Sequence, residues 1–189
     1  MVRSHIVSTL LVALVVGASG CTALERMEAP SLKSSPETSG LVVVEADITV
    51  IAAILGIKSS ADPAGGLVVR VDGTHQSVEG GASSGYVIFP DVPPGRWQLV
   101  MIEGEWQSGS GSTWIEYGVP LESADAFTLD VRAGEPVYVA ATIEDDRHIG
   151  GKGVSYHRRT DAAAEQKAWK WMSDIYDKSS WAPVFRAKL

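Results

Sequence analysis

The sequence predicts a mainly β fold, a single antiparallel β-sandwich-like domain followed by a C-terminal helical tail. Short segments in which apolar and polar residues alternate recur through the middle of the chain, and this spacing is typical of strands that bury one face. Glycine and proline turns separate these segments. Apolar residues take helical spacing only after residue 160. We therefore expect strands within residues 41–159 and helices within residues 160–189.

Composition limits the partners that we expect. The 189 residues include 16 Lys and Arg against 23 Asp and Glu, a formal net charge of −7, and no basic run exceeds two residues. Proteins that bind nucleic acid normally present a basic face, so we expect no nucleic-acid partner. Cys21 is the single cysteine, so the domain has no internal disulfide and is stabilised by packing.

Residues 1–20 have the features of a signal peptide. Arg3 precedes an uncharged apolar run over residues 6–16, which is shorter than the roughly 20 residues that span a bilayer. The letters "ASGC" at residues 18–21 resemble the lipobox of bacterial lipoproteins. In that family the cysteine is lipidated and becomes the mature N-terminus. Ala18 stands where the family usually has Leu. The alternative is an ordinary cleaved signal peptide with an incidental cysteine.

The resemblance implies a protein of the cell envelope. Acyl chains such as palmitate on Cys21 would attach it to the membrane, and two or more chains give stable attachment. Thr22 follows where an inner-membrane retention signal would have Asp, so the outer membrane is favoured over the inner one if the host has two membranes. Residues 21–40 contain proline and serine without periodicity and predict a flexible tether, with ends roughly 25 Å apart.

Strand candidates follow one another from residue 41 onward. The first has a wholly apolar face of Val42, Val44, Ala46, Ile48 and Val50. The run "IAAILGI" at residues 51–57 continues it as strand or as a short helical turn. Further candidates are residues 66–73, 86–89, 95–104, 113–119, 126–131 (with Phe127, Leu129 and Val131 inward) and 136–144.

The segment "FPDVPPGRWQLV" at residues 89–100 is typical of a turn between strands. Pro94 and Gly95 fit the centre of a type II turn, since proline sets φ and glycine accepts a positive φ. The segment resembles a hairpin of carboxypeptidase-regulatory-like and related transthyretin-like β-sandwich modules, with Trp97 where the family more often has Tyr. The resemblance implies an accessory or binding unit, not a catalyst.

The tail from residue 160 predicts a helix that packs on the sheet. Thr160 or Asp161 is the expected N-cap. Residues at helical spacing are Ala164, Ala168, Trp171 or Met172, and Ile175, and an aromatic stripe of Trp169, Met172 and Tyr176 leads to Trp181. A second short helix is expected from Ser180, with Val184 and Phe185. The alternative interpretation of this aromatic stripe is a cofactor site or a helix that lies on a membrane surface.

Motifs for catalysis and metal binding are weak. "GASSG" at residues 81–85 matches G-x-S-x-G around Ser83, but a nucleophile elbow needs a strand before the serine and a helix after it. "EDDRH" at residues 144–148 with His157 has no known metal-ligand spacing, and a solvated acidic loop is the simpler reading. We therefore expect no catalytic residue, no metal and no cofactor.

Two tryptophans flank a Gly/Ser-rich segment in "EWQSGSGSTW", residues 105–114. Exposed tryptophan rings stack on sugar faces, so Trp106 and Trp114 are the candidate ligand-binding residues. The alternative is a long hairpin in which the two rings pair across the strands.

Together these observations predict a membrane-tethered envelope lipoprotein that acts as a non-catalytic binding or structural module. Its expected partners are the membrane, through the lipid anchor, and an envelope protein or a glycan. Two alternatives stay open at this point. One is a glycan-binding module that uses the loop tryptophans, and the other is a small envelope hydrolase.

Overall fold

The structure, a computed structural model, describes residues 28–52, 56–108 and 111–189. It is mainly β with a C-terminal helical part, which confirms the predicted fold class. The strands are β1 Gly40–Ile51, β2 Lys58–Arg70, β3 Ser77–Ser83, β4 Tyr86–Val92, β5 Gly95–Ser108, β6 Gly111–Gly118, β7 Thr128–Val131, β8 Pro136–Asp146 and β9 Gly153–Arg159. The helices are a 3-10 turn Leu121–Phe127, α1 Ala162–Ile175 and α2 Ala182–Arg186.

The predicted leader, Cys21 and the "AIL" of residues 53–55 lie outside the described residues. Within the part of the chain that is described, no helix has both the length and the apolar character needed to cross a bilayer.

The strands form one strongly curled sheet in the order β6-β5-β2-β3-β4-β1-β8-β9, and β7 pairs with β5. Neighbouring strands are antiparallel except β1 and β8, which are parallel over residues 41–51 and 136–146. Apolar side chains on the inner side of the curl form the main core. Trp97, Leu99 and Ile102 of β5 meet Val42 and Val44 of β1 in this core, all of them fully buried.

Strand β1 is the centre of the fold because both of its faces are buried. Val42 and Val44 face the interior of the curl, and Leu41 and Val43 face the helices, each with no exposed surface. This arrangement explains why the run "LVVV" lacks polar residues on either face.

The same strand changes partners along its length. Residues 40–45 pair with β4, and residues 48–51 pair with β2. Ala46 and Asp47 lie between these two sets of paired residues and belong to neither the pairing with β4 nor the pairing with β2. The sheet therefore opens beside the middle of β1, and this opening becomes part of the groove described below.

The segment at residues 89–100 is not a hairpin, contrary to the expectation from its sequence. Strand β4 pairs with β1 and β3, whereas β5 pairs with β2, β6 and β7. Pro93 and Pro94 therefore carry the chain from one part of the curl to another. Gly95 has φ +149°, a value that favours glycine, and the indole Nε1 of Trp97 donates to the Pro93 carbonyl at 2.8 Å.

The "GASSG" sequence lies at the hairpin between β3 and β4. Ser83 pairs with Tyr86, and the two residues between them, Ser84 and Gly85, have φ of +52° and +87°. Two consecutive positive φ values in a two-residue loop are typical of a type I′ turn. A strand follows the serines, so the strand–turn–helix geometry of a nucleophile elbow is not formed here.

The C-terminal helices pack on the outer side of β1, β4 and β8, as the sequence predicts. The Asp161 side chain accepts from the backbone N–H groups of Ala163 and Ala164 and caps α1. The buried residues of this second cluster are Leu41, Val43, Tyr86, Ile88, Ala168, Trp169, Met172, Tyr176, Trp181 and Phe185. Ile175, expected on the buried face, is 49% exposed. We call α1, α2 and their connecting residues 176–181 the helical cap.

Residues 28–39, which we call the docked segment, lie against the helical cap. Ala29 and Leu32 pack against its apolar cluster. The Tyr176 hydroxyl donates to the Pro30 carbonyl at 2.6 Å, and the Trp181 indole donates to the Ser34 carbonyl at 3.1 Å. The sequence predicts a flexible tether over residues 21–40, but residues 28–39 pack on the domain, in part through the carbonyls of Pro30 and Ser34, which no side-chain pattern reveals.

Candidate binding groove beside the helical cap

Two adjoining cavities lie between α1, the β3–β4 turn and the opening beside β1. Their volumes are about 620 and 320 Å³, and Ser84, Tyr86 and Lys167 line both. The larger is also lined by Glu28, Ala29, Ser83, Trp171 and Ile175, and the smaller by residues 45–48, 60–63 and Gly85. We call the two together the cap groove.

Aromatic rings form the wall of the larger cavity. Tyr86 and Trp171 stack with ring centroids 5.1 Å apart and planes 30° apart. Tyr86 is buried and Trp171 is half-buried. Burial, and then the nearby charge of Glu45, raises the pKa of Tyr86, so its hydroxyl stays protonated at physiological pH. The wall offers an apolar ring surface with a hydroxyl donor at its edge.

Charged side chains surround the smaller cavity. It is lined by the carboxylates of Glu45, Asp47 and Asp62 and by Lys167. Glu45 already accepts a hydrogen bond from the Tyr138 hydroxyl and lies 3.9 Å from the Arg159 guanidinium. Burial and this bond raise the pKa of Tyr138. The groove therefore combines polar groups with an aromatic wall, which is suited to holding a ligand by contact and hydrogen bonds.

The only histidine–carboxylate pair among the described residues lies elsewhere, in the loop after β8. His148 Nδ1 is hydrogen-bonded to Asp146. Within the described residues no hydroxyl is hydrogen-bonded to the other ring nitrogen, and no group of three His, Cys, Asp or Glu is placed to hold a metal ion.

The alternation of β8 divides the "EDDRH" side chains between two faces. Asp145 points inward and is 2% exposed, whereas Glu144 and Asp146 lie on the outer face. Arg147 donates to Asp145 from Nε and Nη2 at 2.7 and 2.6 Å. The Tyr117 hydroxyl donates to the same oxygen at 3.3 Å. These contacts indicate a structural role for Asp145 at the end of the core.

The structure does not bring Trp106 and Trp114 together. In the β5–β6 hairpin Trp106 is opposite Thr113, and Trp114 is opposite Glu105. Residues directly opposite each other point to the same face, so the two rings lie on different faces of the sheet. Trp106 packs on the core and donates to the Ser59 hydroxyl at 2.8 Å, while Trp114 is 60% exposed. Neither a paired site nor cross-strand pairing of these rings is formed.

The sequence does not identify Ser84, Tyr86 and Lys167 as groove residues. The motif "GASSG" suggests only a nucleophile, and the apolar run that begins at Tyr86 indicates only a strand. Their proximity to α1 depends on the partner change of β1 and on the packing of the cap, which connects residues far apart in the chain.

Tyr176 joins the helical cap to the docked segment, and its ionisation should lower the free energy of unfolding at alkaline pH. Burial raises its pKa to about 12, against about 10 for an unfolded tyrosine. The folded state holds the Tyr176 hydroxyl proton more tightly than the unfolded state does. The stability that comes from this difference is fully present below about pH 10 and is lost as the pH rises towards about 12. In urea unfolding across this range, Tyr176→Phe should lose stability less steeply than the wild type. Equal slopes would show that Tyr176 is not buried.

Comparison with known proteins found no matching family model, no matching curated protein and no matching solved structure.

Proposed function

We propose that this protein is an envelope lipoprotein, acylated at Cys21, that acts as a non-catalytic binding or structural module. The motif "ASGC" at residues 18–21, after an uncharged apolar run, carries the proposal. The docked segment is compatible with it, because the Pro30 carbonyl accepts from Tyr176 and the Ser34 carbonyl accepts from Trp181, and both residues follow Cys21. A chain that begins at Cys21 therefore keeps these contacts.

The cap groove supports the binding part of the proposal. Its aromatic wall of Tyr86 and Trp171 and its polar rim are features of sites that bind small molecules. Trp106 and Trp114 lie on different faces of the sheet, so we do not propose the two-tryptophan glycan site. A hydrolase is not proposed, because among the described residues the groove offers contact surface and hydrogen-bonding groups but no serine hydrogen-bonded to a base.

Metabolic labelling tests the anchor. Palmitate should label the wild-type full chain, and Cys21→Ser should remove both the label and the membrane association. A double variant, Cys21→Ser with Ser31→Cys, is the matched control, because it keeps one cysteine but places it outside the lipobox. Equal labelling of wild type and Cys21→Ser, or labelling of the control, would contradict the proposal.

A further inference from the structure

The docked segment leaves a short connection between anchor and domain. Seven peptide steps separate Cys21 from Glu28, so the connection spans at most about 25 Å when fully extended. A domain of this size is about 40 Å across. The far side of the domain therefore cannot reach the bilayer unless the connection wraps around it.

The N-terminal end of the docked segment lies at the cap groove. Glu28 and Ala29 line the larger cavity together with Trp171 and Ile175. Ile175 is 49% exposed. The groove and the start of the connection therefore lie on the same side of the domain.

We propose that the larger cavity of the cap groove, with Trp171 and Ile175, lies against the headgroup region of the membrane that holds the protein, so that phospholipid is the occupant of this surface. The inference rests on the proposed acylation of Cys21. A tryptophan that is partly exposed beside an aliphatic side chain and lysines is suited to a membrane–water interface, where its ring is apolar and its N–H remains hydrated.

The charge distribution favours the same orientation. Residues 160–189 carry five Lys and Arg against four Asp and Glu, whereas residues 41–159 carry eight against sixteen. A bilayer with anionic lipids repels the acidic sheet, including Glu45, Asp47 and Asp62 of the smaller cavity, more than it repels the cap. The outward face of the β5–β6 hairpin, with Glu103 opposite Glu116, is also repelled. Strand β5 shares the main core with β1, and the cap packs on the other face of β1.

Single-cysteine reporters test the orientation. When Cys21 is acylated, an introduced cysteine is the only free thiol, because the chain has no other. Lys170→Cys places a fluorophore on the exposed side of α1, and Glu116→Cys places one on the outward face of β6. Each full-length, acylated variant is reconstituted in vesicles of phosphatidylcholine and phosphatidylglycerol that contain a headgroup-quencher lipid.

The reporter at residue 170 should lose most of its fluorescence, and the reporter at residue 116 should lose little. Equal quenching of the two, or stronger quenching at residue 116, overturns the orientation. Mass spectrometry of the same samples measures the acylation of Cys21 independently of the quenching. Absence of an acyl chain on Cys21 would refute the proposed function itself, whereas an acylated protein without the quenching difference would refute only this inference.

Discussion

Trp181→Ala should lower the free energy of unfolding by about 3–5 kcal/mol, the usual cost of removing a large aromatic side chain from a core. Trp181 has no exposed surface and stacks on Phe185 with centroids 6.0 Å apart. Its indole also holds the docked segment through the Ser34 carbonyl. For a chain of this length each kcal/mol shifts Tm by about 2–4 °C, so a thermal melt should show a drop of about 6–20 °C.

Two further variants show where the loss comes from. Trp114→Ala is the matched control: Trp114 is 60% exposed, and its loss should change stability by no more than about 0.5 kcal/mol. Trp181→Phe keeps an aromatic ring but removes the donor to Ser34, which should cost about 1 kcal/mol. A Trp181→Ala melt that overlays the wild type would mean that the helical cap is not docked on the sheet.

The fold class was predictable because local periodicity reports which faces are buried. Phe127, Leu129 and Val131 point inward as expected, with 1–3% of their surface exposed. Trp169 and Met172 likewise follow from helical spacing and are buried in the cap. In each case the signal lies within a few neighbouring residues, and burial of an apolar face is enough to decide the local structure.

Strands β3 and β9 could not be predicted in this way. In β3, Gly80 and Gly81 replace the apolar residues that mark a strand, because a Cβ at Gly80 would lie 2.8 Å from the Phe89 ring and one at Gly81 would lie 2.9 Å from Pro30. Strand β9 is an edge strand rich in polar residues. In both strands pairing with the neighbouring strand, and not burial of an apolar face, decides the structure, so their own sequences show no periodic pattern.

The candidate site was less predictable than the fold. The cap groove forms because β1 pairs with β4 at one end and with β2 at the other, and this exchange is a property of register. Register also explains the two tryptophans: Trp106 would have to move by one residue to face the same side as Trp114. Sequence spacing identifies both rings but not the face that each occupies.

Arg147→Ala should be the second strongly destabilising change. Asp145 is 2% exposed, and its main partner is the Arg147 guanidinium. Among the described residues, removing that partner leaves the buried carboxylate with the Tyr117 hydroxyl alone, at 3.3 Å. Breaking a buried ion pair costs about 3–5 kcal/mol, and the lower end, about 3 kcal/mol, applies because the Arg147 side chain is 46% exposed.

Chemical denaturation of a variant that removes both charges separates this charge effect from simple loss of packing. The double variant Asp145→Leu with Arg147→Met should recover most of the stability, because replacing both charges by apolar side chains removes the unpaired carboxylate and is often neutral or stabilising. Arg132→Ala is the matched arginine control, since Arg132 and Glu135 are 74% and 60% exposed and 3.7 Å apart, and exposed pairs contribute about 0–1 kcal/mol. If Arg147→Ala proved as mild as Arg132→Ala, the Asp145 carboxylate would have to be reached by water, and the end of the core beside Tyr117 would be open.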